Sequence, residues 1–139
     1  MSSPKILVMS TNGILKDGIT SWLVSIFGAM NLEGLEVSTI AFEGTKPRII
    51  EEVEAAGVEV IILPHRQRNA KAYYREYKHL LADRHFDIVH VCCNSAMAAF
   101  ELAEARKRVV RMRIAHSRNT MCSHRVASVL LNPLFQASV

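Results

Sequence analysis

The 139-residue sequence contains no apolar run long enough to span a membrane and no secretory leader. A spanning helix needs about 20 consecutive apolar residues. The opening "MSSPKILVMS" shows no charged start followed by a long apolar stretch and a small-residue cleavage site. We therefore expect the chain in the cytoplasm, with peripheral contact to the inner face of the membrane as a further expectation.

Cysteine is scarce, and its spacing matches no metal or redox motif. The chain has three cysteines, of which Cys92 and Cys93 are adjacent within an apolar run. No CxxC and no local cysteine–histidine ligand spacing is present. This pattern predicts buried free thiols in a reducing compartment, and no metal site.

Aromatic residues make up 6% of the chain and are not interleaved with basic ones. The net charge of +4 favours anionic ligands, but we expect no nucleic-acid partner because aromatic stacking platforms are missing. Half of the residues are hydrophobic and 22% are charged, which is typical of a globular domain. The length suffices for one compact domain, which we assign to residues 1–139.

Two phosphate-binding fingerprints are also missing. The loop "NGILKDG" places Gly13 and Gly18 five residues apart, so there is no GxGxxG, and no GxxxxGK[ST] occurs. NAD and a P-loop nucleotide are therefore not expected. Gly18 at a predicted helix start leaves two alternatives: its backbone N–H groups bind an anion, or Asp17 caps the same donors.

Strand-like and helix-like segments alternate along the whole chain. Apolar runs predict strands at 5–10, 35–42, 58–63, 87–93 and 109–116. Amphipathic spacing predicts helices at 17–30, 47–56, 70–85, 95–106 and 121–131. This alternation predicts an α/β fold: a Rossmann-like three-layer sandwich around a parallel sheet, with expected strand order 3-2-1-4-5.

The fifth predicted strand differs from the other four. Arg111 and Arg113 alternate with apolar residues there, whereas the other strands are nearly continuously apolar. We therefore expect one face of this strand to be exposed to water or covered by something outside the chain. As the last strand in the expected order, it would also leave an open sheet edge, and we expect homo-oligomer formation through that edge.

The motif "HSRNT" at 116–120 follows the fifth strand. Ligands of open parallel sheets bind beyond the carboxyl ends of the strands, where the strand order reverses. The segments expected at that place are 11–18, 43–46, 64–69, 92–95 and 116–120. On the residues alone, His116 is either a ligand contact or a half-buried histidine bonded to a carbonyl, whereas the mid-strand position of His90 favours a hydrogen-bonded core histidine.

Four stretches carry a family resemblance: "DGITSWLVSIFGAM", "FEGTKPRIIEEVEAAGVEVIILPHRQRN", "FDIVHVCCNSA" and "RIAHSRNT". The last two are the most specific, and together the four span most of the chain. They resemble the N-terminal domain of retaining glycosyltransferases with the GT-B architecture, group 1 or family four. The members that build bacterial capsular polysaccharide or exopolysaccharide are the most similar.

The resemblance implies an enzyme that transfers a sugar, with retention, from a nucleotide-diphosphate sugar to a saccharide or lipid-linked acceptor. A UDP-sugar is the expected donor, and no cofactor is implied. The family works in a cleft between two domains, so the C-terminal donor domain would be the missing partner and this chain alone would be inactive. The alternative that stays open is a non-catalytic Rossmann-like binding or interaction module.

The same resemblance assigns roles by position. His116 is the implied catalytic residue, because it matches a histidine that reaches the donor sugar. Asp17, Cys92 and Arg118 depart from the family pattern, where a glycine and two histidines are usual. The implied substrate-binding residues are Asn12, Gly13, Asp17, Gly18, His90, Asn94, Ser117, Arg118, Asn119 and Thr120.

A basic cluster follows the third strand. Its residues either form a solvated basic face or, if the acceptor is lipid-linked, would meet anionic lipid headgroups. They are Arg66, Arg68, Lys71, Arg75 and Lys78.

Overall fold

A computed structural model describes residues 2–93 and 98–117 of the chain. Five strands and four helices alternate: β1 (Lys5–Ser10), α1 (Gly18–Ala29), β2 (Glu36–Phe42), α2 (Pro47–Ala55), β3 (Glu59–Leu63), α3 (Ala70–Arg84), β4 (Ile88–Cys93), α4 (Ala99–Lys107) and β5 (Met112–Ser117). The helix predicted at 121–131 lies outside these residues. No helix within the described ranges has the length and apolar character needed to cross a membrane.

The five strands form one parallel sheet in the order β3-β2-β1-β4-β5. The predicted α/β Rossmann-like fold and its strand order are therefore confirmed. The order reverses between β1 and β4, so the chain leaves these two neighbouring strands toward opposite sides of the sheet. Their carboxyl ends consequently frame the place where an open parallel sheet binds ligands.

Helices cover both faces of the sheet because side chains alternate along each strand. The core under α3 and α4 includes Leu7, Val89, Tyr73, Tyr77 and Leu102. The core under α1 and α2 includes Val8, Val37, Leu23, Phe27 and Val53. This two-sided burial explains why β1 and β4 are mostly apolar.

Strand β5 begins at Met112, later than the predicted start at residue 109, because the chain first closes α4. Val109 has a left-handed φ of 57°, and its N–H donates to the carbonyl of Arg106. Val110 donates to the carbonyl of Ala105. These two hydrogen bonds form a Schellman ending, in which glycine usually occupies the position that valine holds here.

A buried ion pair joins the loop after β3 to α4. The side chains of Arg66 and Glu101 are 4% and 0% exposed, and Arg66 Nε donates to Glu101 Oε1 over 2.8 Å. The Tyr73 hydroxyl donates to the same oxygen over 3.0 Å. Burial, with a further contribution from the Glu101 charge, raises the pKa of Tyr73 far above its usual value.

The position of Arg66 corrects one expectation from the sequence. Arg66 was assigned to the exposed basic cluster that would face lipid headgroups, but its guanidinium is buried against Glu101. Its partner is 35 residues away in the sequence, so no local pattern indicates the pairing. The other four residues of that cluster, Arg68, Lys71, Arg75 and Lys78, are exposed.

Candidate functional site

Three histidine and cysteine side chains meet next to the strand-order reversal. His90 and Cys92 are two residues apart on β4 and so point to the same face of the sheet. In the parallel register, Cys92 pairs with Ser10 of β1 on one side and with His116 of β5 on the other. We refer to His90, Cys92 and His116 as the His–Cys cluster.

The ligand atoms of the His–Cys cluster are close together. His90 Nε2 lies 3.1 Å from His116 Nδ1, which is a hydrogen-bond distance. Cys92 Sγ lies 3.9 Å from His90 Nε2 and 3.8 Å from His116 Nδ1. The three side chains thus form one mutually contacting group on a rigid pair of strands.

Helix α1 covers this group with the chain's single tryptophan. The indole of Trp22 meets the rings of His90 and His116 edge-on, at centroid distances of 6.0 and 5.4 Å. Cys92 is buried, whereas both histidines are half-buried. Burial, and to a smaller extent repulsion from His116, lowers the pKa of His90, so His90 is neutral at physiological pH.

The structure shows how one of the backbone N–H groups at the start of α1 is used, which the sequence left open between anion binding and capping by Asp17. Asp17 is the N-cap, and its Oδ1 accepts from the backbone N–H of Thr20 over 2.8 Å. The capping alternative is therefore correct for that donor. At Gly18, a Cβ atom would meet no described atom within 4 Å, so the space on that side of the residue is not filled by the described residues.

Gly13 has a structural explanation within the loop after β1. Its φ is +70°, and a Cβ atom would lie 3.0 Å from the ring of Phe42. Its N–H donates to the carbonyl of Ser10. Both the backbone conformation and the space therefore require glycine here.

A cleft of about 270 Å³ lies at the carboxyl ends of β1, β2 and β3. Three of the five segments expected at the site, 11–18, 43–46 and 64–69, contribute to it. Its lining combines one aromatic ring with a polar rim and includes Asn12, Phe42, Glu43, Thr45, Gln67 and Arg68. Its amide, carboxylate and guanidinium groups suit a polar ligand that accepts and donates hydrogen bonds.

The structure therefore divides the predicted site residues into groups. Asn12 lines the cleft, Asp17 and Gly18 begin α1, and His90 and His116 are in contact. Ser117 ends β5 and is exposed. Gly13 is placed by the turn after β1, and the other four, Asn94, Arg118, Asn119 and Thr120, lie outside the described residues.

The sequence places Cys92 in the segment 92–95 expected at the site but gives it no role, and it does not indicate Trp22. A signal for Cys92 exists, because the spacing His-x-Cys on β4 puts both side chains on one face. The register with β5 then adds His116. For Trp22 no signal exists, since its position fits the apolar stripe of α1 equally well.

Comparison with known proteins assigns no family. No protein-family model matches the chain, and no curated protein is significantly similar to it in sequence. The class of protein is thus defined by fold and geometry: a Rossmann-like α/β chain with a histidine and cysteine cluster beside the strand-order reversal and a polar cleft at the adjacent strand ends.

Proposed function

We propose that the chain is the acceptor-side domain of a retaining glycosyltransferase. The reaction would transfer a sugar from a nucleotide-diphosphate sugar, expected to be a UDP-sugar, to a saccharide or lipid-linked acceptor. One observation carries the proposal. His116, the implied catalytic residue, lies one residue before the end of β5, in contact with His90 and with Trp22 of α1.

The start of α1 is the proposed binding place of the donor diphosphate. Negative charge develops on the leaving diphosphate, and backbone N–H groups at a helix N-terminus stabilise such charge. Asp17 occupies one of these donors. Gly18 bears no side chain, so the first turn of α1 is the place where the diphosphate can approach the backbone.

His116 and His90 would act on the donor sugar. A neutral histidine hydrogen-bonds sugar hydroxyls next to the reacting carbon, where positive character develops in the transition state. His90 is a positioning residue, because its Nε2 contacts Nδ1 of His116. Its lowered pKa keeps a second positive charge away from that carbon.

The cleft at the ends of β1 to β3 is the proposed acceptor site. Glu43 and Arg68 offer hydrogen bonds at the rim, and the largely buried Phe42 side chain contributes to the lining. A donor domain on the opposite side would complete the reaction centre. Without it the donor stays largely in water, where each electrostatic interaction is weak, so we expect binding without turnover.

Trp22 provides the test, because it contacts both histidines and is the chain's single tryptophan. We expect UDP-sugars to change its fluorescence when it is excited where uridine does not absorb. His116→Ala should weaken this response at least tenfold, whereas His79→Ala, at an exposed position on α3, should not. No response to any nucleotide-diphosphate sugar would contradict the proposal and favour the non-catalytic module.

A further inference from the structure

The His–Cys cluster has the dimensions of a metal site. Tetrahedral zinc, with Zn–N near 2.05 Å and Zn–S near 2.3 Å, sets its nitrogen ligands about 3.3 Å apart and nitrogen and sulfur about 3.6 Å apart. The measured separations are 3.1 Å between the nitrogens and 3.8 and 3.9 Å from each nitrogen to sulfur. All three ligand atoms lie within 4.8 Å of one another.

We propose that His90, Cys92 and His116 bind a divalent transition-metal ion of the zinc class. Imidazole and thiolate ligands suit zinc, cobalt or copper, and the absence of a carboxylate from this ligand set disfavours magnesium and calcium. Each of the three separations, taken singly, is also a hydrogen-bond distance. A metal ion explains why Cys92 also lies at nearly equal distances from both nitrogens.

The scaffold is suited to the ion because the ligands come from two paired strands rather than from loops. Trp22 packs against both rings and limits their movement. Three protein ligands leave a fourth position for water or a substrate oxygen, as in catalytic zinc sites. No sign of this site appears in the sequence because His116, the ligand from β5, is 24 residues from Cys92.

The test uses cobalt as a spectroscopic probe of the metal-free, reduced chain. We expect one Co²⁺ per chain, with a thiolate-to-cobalt charge-transfer band and the intense visible bands of tetrahedral cobalt. The double variant Cys93→Ser/Cys122→Ser retains Cys92 as its single cysteine and should keep all of these bands. Cys93 is the matched control, because it is buried next to Cys92 but belongs to the core on the opposite face.

Cys92→Ser should lose the charge-transfer band. His116→Asn should bind cobalt at least about 100-fold more weakly, since loss of even an outer-shell partner costs 10- to 100-fold. Absence of the charge-transfer band from the wild-type chain, or its loss from the folded double variant, would overturn the proposal. Both of these chains keep His90, Cys92 and His116, so misfolding of a cluster variant cannot account for either result. The inference does not rest on sugar transfer, because cobalt binding is measured without sugar. Repeating the UDP-sugar titration with a chelator separates sugar binding from metal binding.

Discussion

Replacing Glu101 by glutamine should destabilise the chain more than any surface substitution of the same kind. The carboxylate is fully buried and accepts hydrogen bonds from Arg66 and from the Tyr73 hydroxyl. Removing one charge of a buried pair costs about 3 to 5 kcal/mol. We expect about 3 kcal/mol for Glu101→Gln, the lower end of that range, because the amide oxygen still accepts from tyrosine.

The assay is urea unfolding followed by circular dichroism. Glu76→Gln is the matched control, because Glu76 pairs with Arg75 over 3.0 Å but their side chains are 40% and 63% exposed. An exposed pair of this kind contributes less than about 1 kcal/mol. A loss below about 1 kcal/mol for Glu101→Gln, or equal losses for the two variants, would refute the reasoning.

Glu101→Gln should also loosen the loop that lines the cleft. Arg66 lies between His65 and Gln67, and both of these line the cleft. Because Glu101 anchors the guanidinium of Arg66, Glu101→Gln should increase amide hydrogen exchange at residues 65–68. Unchanged exchange there would mean that the ion pair does not hold this loop.

The remaining predictions concern backbone conformation and pH. Val109→Gly should stabilise the chain by about 1 kcal/mol in thermal unfolding, because a β-branched residue is strained at φ 57°. In the same assay Gly57→Ala should destabilise the chain, because φ is +84° there. Gly18→Ala should leave stability nearly unchanged but weaken the UDP-sugar response of the tryptophan, while Gly13→Ala, at φ +70°, should lower stability itself. In the metal-free chain the lowered pKa of His90 means that the unfolded state binds more protons, so stability should fall as the pH drops below about 6.5. The variant His90→Asn, measured by urea unfolding across this range, should show a weaker dependence, and an equal one would contradict the assignment.

The sheet could be predicted from the sequence because strand–helix alternation indicates a parallel sheet with right-handed crossovers, and 3-2-1-4-5 is a usual order of such a sheet. The sequences of β1 to β4 are rich in apolar residues, so these strands could be recognised without knowledge of their neighbours. The start of β5 was placed too early because valine at residue 109 gives no sign of a left-handed conformation. That conformation is imposed by the closing turn of α4.

Long-range pairing explains what the sequence did not reveal about the site. Cys92 joins His116 through strand register, and Arg66 is buried through Glu101. Both relations connect residues far apart in the chain, where neither spacing nor composition carries a signal. The predicted association through the edge of β5 stays a prediction, and a strictly monomeric mass at high concentration would count against it.

Mapping of UDP-sugar binding by amide chemical shifts tests the central claim most directly. The account predicts shifts concentrated at residues 11–18 and 116–120, with His116→Ala removing them, and a separate set at residues 43–45 and 65–68 when an acceptor saccharide is added. Absence of binding, or shifts confined to the exposed surface of α3, would contradict the claim that this chain is one side of a glycosyltransferase.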